Sequence, residues 1–487
     1  MTGASTGRPD AEPTEPTEPT AERTAAAAGA SLVIWLLVGS AFVMILNETI
    51  MSVALPALIA DLHITVSTAQ WLTSGFLLTM AVVIPITGFL LQRFPPRRVY
   101  LASMLLFSAG TLVSALAPGF PMLLAGRIVQ ATGTAVMVPL LMTTVLRLVP
   151  AERRGATMGT ITIVIAVAPA VGPTLSGLIL STLGWRFMFW IVLPIALIAL
   201  AAGARWLQVA AEVRPVPLDL GSVALSALGF GGLVFGLTGV GESARGHALV
   251  TPWIPTVVGL VALALFVARQ LRLQRDGNAL LDLRPLGHRP FVISMVLVVL
   301  SMMSLFGVLI LLPLYLQDVL HVSAFVTGLA VLPGGLAMGL LGPVVGRLYD
   351  RLGARTLVIP GAAVLTVALW AFTTLRAGSP LWTIIAFHVV LVLGISLMLT
   401  PLMTDALGRL PGHLDSHGSA IMATLQQVAG AAGTALFITV MAVASTEGTM
   451  GTDVAGARAA FMVAAVIATV ALPLTFLVGG RKETAAA

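Results

Sequence analysis

Apolar residues run in long blocks along this chain, as at 102–117 and 193–204, and short polar clusters punctuate them. A helix needs about 20 mainly apolar residues to cross the hydrocarbon core of a bilayer. Setting blocks against breaks predicts fourteen such helices. Six fall near 32–59, 68–91, 99–117, 121–147, 156–180 and 187–207, and two more near 219–240 and 251–272. The last six fall near 290–316, 325–346, 355–375, 381–404, 418–444 and 458–479. The pattern predicts an all-α polytopic membrane protein.

The basic residues test that count, because Arg and Lys collect on the cytoplasmic side of membrane proteins. With the N-terminus inside, the inner loops and tails hold 21 of the 26 basic residues, among them Arg93, Arg97, Arg98, Arg153, Arg154, Arg347 and Arg351. Outer loops hold Arg186, Arg245, Arg376 and Arg458, and Arg127 falls within helix 4. A wrong count would scramble this asymmetry. The expectation is a multi-pass protein of the cell (inner) membrane with both termini cytoplasmic.

Composition agrees. Only 9% of residues are charged and 58% are hydrophobic, against about 25% charged in a soluble domain. The chain has no cysteine, which rules out disulfides, thiol catalysis and Cys-based metal sites. No HExxH zinc motif is present, and no two intramembrane acids lie close in sequence. Neither an enzyme nor a cofactor or metal is expected, and no nucleic acid partner. A sensor would need a soluble output module, which the tails and loops do not provide. Residues 1–30, with the acidic repeat Glu12-Pro13-Thr14-Glu15-Pro16-Thr17, have nothing to bury and are expected to be a disordered cytosolic tail; 481–487 form a second tail.

The chain also repeats itself. The loop after helix 2 carries Gly88, Gln92, Arg93, Pro95, Arg97 and Arg98, and the loop after helix 10 carries Gly346, Asp350, Arg351, Gly353 and Arg355. The two align without a gap at an offset of 258, and Gly172 meets Gly430 at the same offset. This divides the chain into a six-helix bundle over 31–207, two inserted helices and a linker over 208–284, and a second bundle over 285–480. Internally repeated helical halves with a site at their interface are a transporter architecture; a channel would not need them.

At these motifs the chain resembles the major facilitator superfamily, and within it the fourteen-helix drug:proton antiporters. The loop Gly346-x-Leu348-x-Asp350-Arg351-x-Gly353-x-Arg355 is similar to the family's signature, and its first copy departs from it at Gln92 and Pro95. Arg127-x-x-Gln130-x-x-Gly133 resembles the buried-arginine motif. Ala168-Pro169-x-x-Gly172-Pro173-x-x-x-Gly177 resembles the antiporter motif. Leu46-Asn47-Glu48-Thr49 resembles the helix-1 motif of the fourteen-helix group, where Asp usually stands at the place of Asn47. The resemblance implies a major facilitator fold of two six-helix bundles plus two inserted helices. It also implies a monomer, set in the lipid bilayer, that exports hydrophobic, cationic drugs or toxic compounds against protons by alternating access. Export of one endogenous compound, such as a self-made antibiotic, lipid or metabolite, is the alternative.

Such an exporter needs a carboxyl group that either holds a proton or is free to engage a cation. Glu48 lies about 16 residues into helix 1, roughly 24 Å along it, and ionisable residues at such depth usually face a cavity or a partner. Its alternative is a structural acid bonded to Asn47 or Thr49. Arg127 either approaches Glu48 in proton coupling or braces helix packing. Asp318 is either a second proton or cation site or a solvated loop acid, and His388 either responds to pH or packs. Asn47, Trp71, Phe76, Gln130, Tyr315, Gln317 and His388 join Glu48 as candidates for the substrate cavity, with Met44 and Phe306. The loops around Asp350 are expected to latch helix ends in one conformation and release them in the other, the Gln92 copy more weakly. Gly172, Pro173 and Gly177 are expected to allow close packing and a bend in helix 5.

Overall fold

A computed structural model describes residues 20–64, 66–208, 219–244, 251–445 and 453–479. The Pro/Thr repeat, Arg245 and the tail at 481–487 lie outside the described residues. Among the described residues, fourteen α-helices follow one another: α1 (Thr20–Leu62), α2 (Val66–Arg93), α3 (Pro96–Ala115), α4 (Phe120–Leu148), α5 (Arg154–Thr182), α6 (Arg186–Trp206), α7 (Leu220–Ala244) and α8 (Trp253–Leu273). Then come α9 (Arg289–Leu314), α10 (Ala324–Leu352), α11 (Ala354–Phe372), α12 (Leu381–Gly408), α13 (Asp415–Ala444) and α14 (Val454–Leu474). Among the described residues, 13 stretches are long and apolar enough to cross a membrane. Large apolar side chains such as Leu105, Ile198, Leu260, Val443 and Val470 stand exposed on their flanks. That is how helices look when lipid, rather than water, is the outer solvent.

One boundary differs from expectation. α1 begins at Thr20, so 20–30 is helix rather than tail. The run Ala25 to Ala28 is the physical reason: alanine has the highest helix propensity.

The two halves, α1–α6 and α9–α14, meet along crossed pairs. α5 packs along α10, and α2 along α13; with the 258 offset, α2 corresponds to α10 and α5 to α13. The inserted pair breaks this symmetry. α7 packs on α8 and also touches both α2 and α13, covering the seam on that side alone. Trp71 of α2 stacks on Phe235 of α7 with ring centroids 5.6 Å apart. Asp219 and Arg269 clamp the hairpin's end through bonds of 2.7 and 2.9 Å, and the buried Gln270 donates to Ser222.

Gly353 shows why the second loop signature is complete and the first is not. It closes α10 and opens α11 at φ 81°, a conformation glycine adopts at no steric cost. Pro95, its counterpart, sits at φ −57°, so the first turn is made differently and tolerates proline.

Candidate functional site

A cavity of about 290 Å³ lies between the halves. Its wall is drawn from α1, α2, α4 and α5 on one side and from α9, α10, α12 and α13 on the other. Among the described residues, none from α3, α6, α7, α8, α11 or α14 lines it. Most of the lining is apolar and adaptable: Met80, Ile84, Met302, Leu305, Phe306 and Met338 are representative. Flexible thioethers repack around ligands of different shape. Glu48 is the single acid in the described lining, and His388, Gln426 and Gln427 face it from the second half.

Neighbouring residues on a helix point about 100° apart, and α1 uses that rotation to separate two roles. Asn47 turns towards α4 and is buried; its Oδ1 accepts a hydrogen bond from Arg127 Nη1 at 3.3 Å. Glu48 turns into the cavity. Arg127 is fully buried, donates a second bond to Gln130 Oε1 at 2.9 Å, and lies over the Phe76 ring at 4.1 Å. Gln130 is itself held by donating to Thr111. The guanidinium is therefore anchored by amides and an aromatic face, not by a direct bond to Glu48, although the two charges lie within electrostatic reach. With Asn at position 47, no carboxylate among the described residues bonds Arg127 directly. Thr49, beside Glu48, spends its hydroxyl on the Leu46 carbonyl.

Several expected cavity residues lie elsewhere. Phe76 and Gln130 are packed under Arg127 rather than on the cavity wall, and Asn47 is behind Glu48. Trp71 belongs to the α2–α7 seam, and Met44 to the core. Tyr315 is buried at the far end of α9, where its hydroxyl donates to the Arg376 carbonyl at 2.7 Å. Gln317 and Asp318 are exposed in the π-helical turn that follows α9, which fits the loop-acid alternative for Asp318. Apolar membrane helices give no sequence signal for which face looks inward, and this is why these placements failed. Glu48, His388 and Phe306 do line the cavity.

The loop signatures meet at the end of the molecule that carries the Arg-rich connections. Asp350 accepts bonds from the backbone N–H groups of Gly155 at 2.8 Å and Ala156 at 2.9 Å. These are the first turn of α5, where unbonded N–H groups and the helix dipole favour an anion. Below it, Gly342 and Gly346 of α10 face Gly159 and Gly155 of α5 so closely that any Cβ there would overlap the opposing backbone. These two GxxxG pairs, visible in the sequence as Gly155-x-x-x-Gly159 and Gly342-x-x-x-Gly346, let backbones approach as small residues do in membranes. Thr162 and Thr400 add a 2.7 Å bond between the halves.

At the pseudo-equivalent place, Gln92 donates to the His413 carbonyl at 3.3 Å and Gly88 packs on His417. His413 and His417 stand where the first half has Gly155 and Gly159, at the same offset of 258. Arg97 donates to the Ala204 carbonyl, Arg93 lies over Phe94, and Arg98, Arg351 and Arg355 are exposed. In the antiporter motif, Gly172 packs against Thr49 of α1 and Gly177 faces open space. α5 runs unbroken through both; the Pro173 side chain lies outside the described residues.

Comparison with known proteins agrees with this geometry. The sequence profile of the Major Facilitator Superfamily matches residues 37–434. A lincomycin resistance protein LmrB of Listeria monocytogenes is 45% identical over 400 residues, which is 82% of this chain and 84% of that protein. A multidrug resistance protein B homolog of Mycobacterium tuberculosis is 32% identical, over 80% of this chain and 72% of its own length. In fold, the human organic anion transporter MFSD10 superimposes with a TM-score of 0.65 at 17% identity, covering 92% of this chain and 99% of that one. The proton:xylose symporter XylE gives 0.63 at 15% identity, over 93% and 96%. Two six-helix halves around a shared cavity, with the motifs of the fourteen-helix group, place the result beyond composition alone: the chain belongs to the Major Facilitator Superfamily, in its drug-efflux branch, and is a multi-pass membrane transporter of small molecules rather than an enzyme.

Proposed function

We propose that this transporter exports hydrophobic, cationic drugs or toxic compounds from the cytoplasm in exchange for protons, by alternating access. The observation that carries this reading is Glu48, a lone acid in the described lining of an otherwise largely apolar cavity between the halves. A charge at membrane depth costs about 2.5–3.5 kcal/mol on insertion scales. A carboxyl there is stable in two ways: neutral with a proton, or ionised with a bound cation. Proton and cationic substrate thus compete for one site, and that exclusion is what antiport requires.

Arg127 supports the exchange by staying out of it. Its Nη1 bonds to Asn47 and Gln130 and its seat on Phe76 do not involve Glu48, whether that carboxyl is charged or neutral. Glu48 is therefore not locked in an ion pair and remains free to exchange ligands, while the nearby positive charge discourages it from holding a cation permanently. The paired latches lie at the Arg-rich end, which the positive-inside rule makes cytoplasmic. Closed there, they seal the cavity from the cytoplasm; their release would open it. The relatives carrying drug-resistance names favour the same class of substrate.

The decisive experiment is substrate-driven proton movement in proteoliposomes, comparing the protein with Glu48→Gln. Loss of proton coupling, with substrate binding weakened, is expected. Unchanged coupled transport in the variant would sink the assignment of Glu48.

A further inference from the structure

The second-half wall of the cavity carries more hydrogen-bonding capacity than the protein uses. His388 of α12 is only 3% exposed, yet its Nδ1 has no hydrogen-bond partner. The ring is held in place beside the Val331 carbonyl and over Gly334, where any side chain would overlap the imidazole. Beside it, Gln427 Nε2 reaches only the sulfur of Met80 at 3.9 Å, and Gln426 Nε2 only that of Met403 at 4.0 Å. Thioether sulfur is a weak acceptor. Buried polar groups are normally satisfied, so the buried and unpartnered His388 Nδ1, flanked by two half-buried amides whose Nε2 groups reach only sulfur, calls for a ligand that completes the set.

A purely lipophilic cation would not. It would neutralise Glu48 on the first-half wall and leave His388 Nδ1 without a partner and the amides of Gln426 and Gln427 with sulfur alone. A site built to bond a polar group rejects an analogue lacking it far more strongly than an apolar pocket rejects a missing methylene. We propose that the preferred substrates are bipolar amphiphiles: an apolar body with a protonated amine facing Glu48 and, at its other end, hydroxyl or amide groups bonded by His388, Gln426 and Gln427. This rests on the export function proposed above and narrows its substrate class. Met80, Met302, Met338 and Phe306, which line the cavity between the two walls, supply the contact for the apolar body.

Two probes separate the terms. Tetraphenylphosphonium has charge and apolar surface but no hydrogen-bonding group. Lincomycin joins a basic ring amine through an amide to a hydroxylated sugar. Transport of both into inverted vesicles or proteoliposomes is measured as kcat/KM for the wild type, His388→Leu, His388→Asn and the double variant Gln426→Leu/Gln427→Leu. The wild type should favour lincomycin at least tenfold. His388→Leu and the double variant should each lower that ratio about tenfold or more, chiefly through KM for lincomycin, and His388→Asn should restore most of it. Wild-type preference for tetraphenylphosphonium, or an equal loss for both probes in the variants, overturns the bipolar assignment while leaving cation export standing. Transport of neither probe by the wild type overturns both. Continued tetraphenylphosphonium transport in a variant also certifies that it has folded.

Discussion

Replacing Asp350 by Asn should loosen the contact between α10 and α5 and populate the form open at the Arg-rich end. The carboxylate is half-buried and accepts two backbone bonds, at 2.8 and 2.9 Å, on the first turn of α5. Hydrogen bonds to a charged group contribute about 1.5–3 kcal/mol each, and an anion at a helix N-terminus a further 0.3–1 kcal/mol or so. Asn keeps one acceptor oxygen but turns an NH2 group towards the other N–H, so one charge-assisted bond and the dipole interaction are lost. Partial exposure brings the net cost to about 2 kcal/mol, or roughly a 30-fold shift in population. The chain has no cysteine, so two introduced at Arg205 and Thr356, exposed at that end of the two halves, can be spin-labelled without background. Double electron–electron resonance in nanodiscs should show a longer-distance population growing in Asp350→Asn. Gln92→Ala, which removes only an exposed, neutral 3.3 Å bond at the other latch, costs about 0.5 kcal/mol and should shift it only about two- to threefold. If Gln92→Ala opens the protein as much as Asp350→Asn, or if Asp350→Asn leaves the distances unchanged, the latch does not work through this carboxylate.

Other outcomes follow from the same geometry. Gly346→Val puts a branched side chain against the Gly155 backbone; overpacking should cost about 1–3 kcal/mol, read as a lower melting temperature and a weakened α5–α10 contact by crosslinking. Asn47→Asp should not rescue proton coupling in Glu48→Gln, because position 47 faces Arg127 and not the cavity; recovery of coupled transport in the double variant would contradict the separation of roles on α1. Asp219, outside the membrane spans, is held well below the usual carboxylate range, first by its bonds to Arg269 and then by Ser222. A depressed carboxyl contributes stability above its unfolded value, near 3.9, and loses it only as pH falls through the folded one. Limited proteolysis of the α7–α8 hairpin should therefore be flat from about pH 5 to 8, and Asp219→Asn should raise it across that window.

Hydropathy, charge placement and repetition are properties of the chain itself, and they were enough to predict fourteen helices, the two halves and the inserted pair. Glycine spacing also carried the α5–α10 contact, in the two GxxxG pairs. What the sequence could not determine was facing. Soluble helices advertise their buried side by amphipathicity, but a helix between lipid and protein is apolar all round, so Trp71, Phe76, Tyr315 and Gln317 gave no sign that they miss the cavity. A single step along α1, about 100° of rotation, decided that Asn47 anchors Arg127 while Glu48 meets the substrate space. Only tertiary packing could set that rotation, because it depends on α4 offering a guanidinium and a Phe76 face on one side and the second half offering an open cavity on the other. The same holds for α7: its apolar sequence determined that it crosses the membrane, and only its docking on α2 and α13 decided that it covers one seam of an otherwise symmetric molecule.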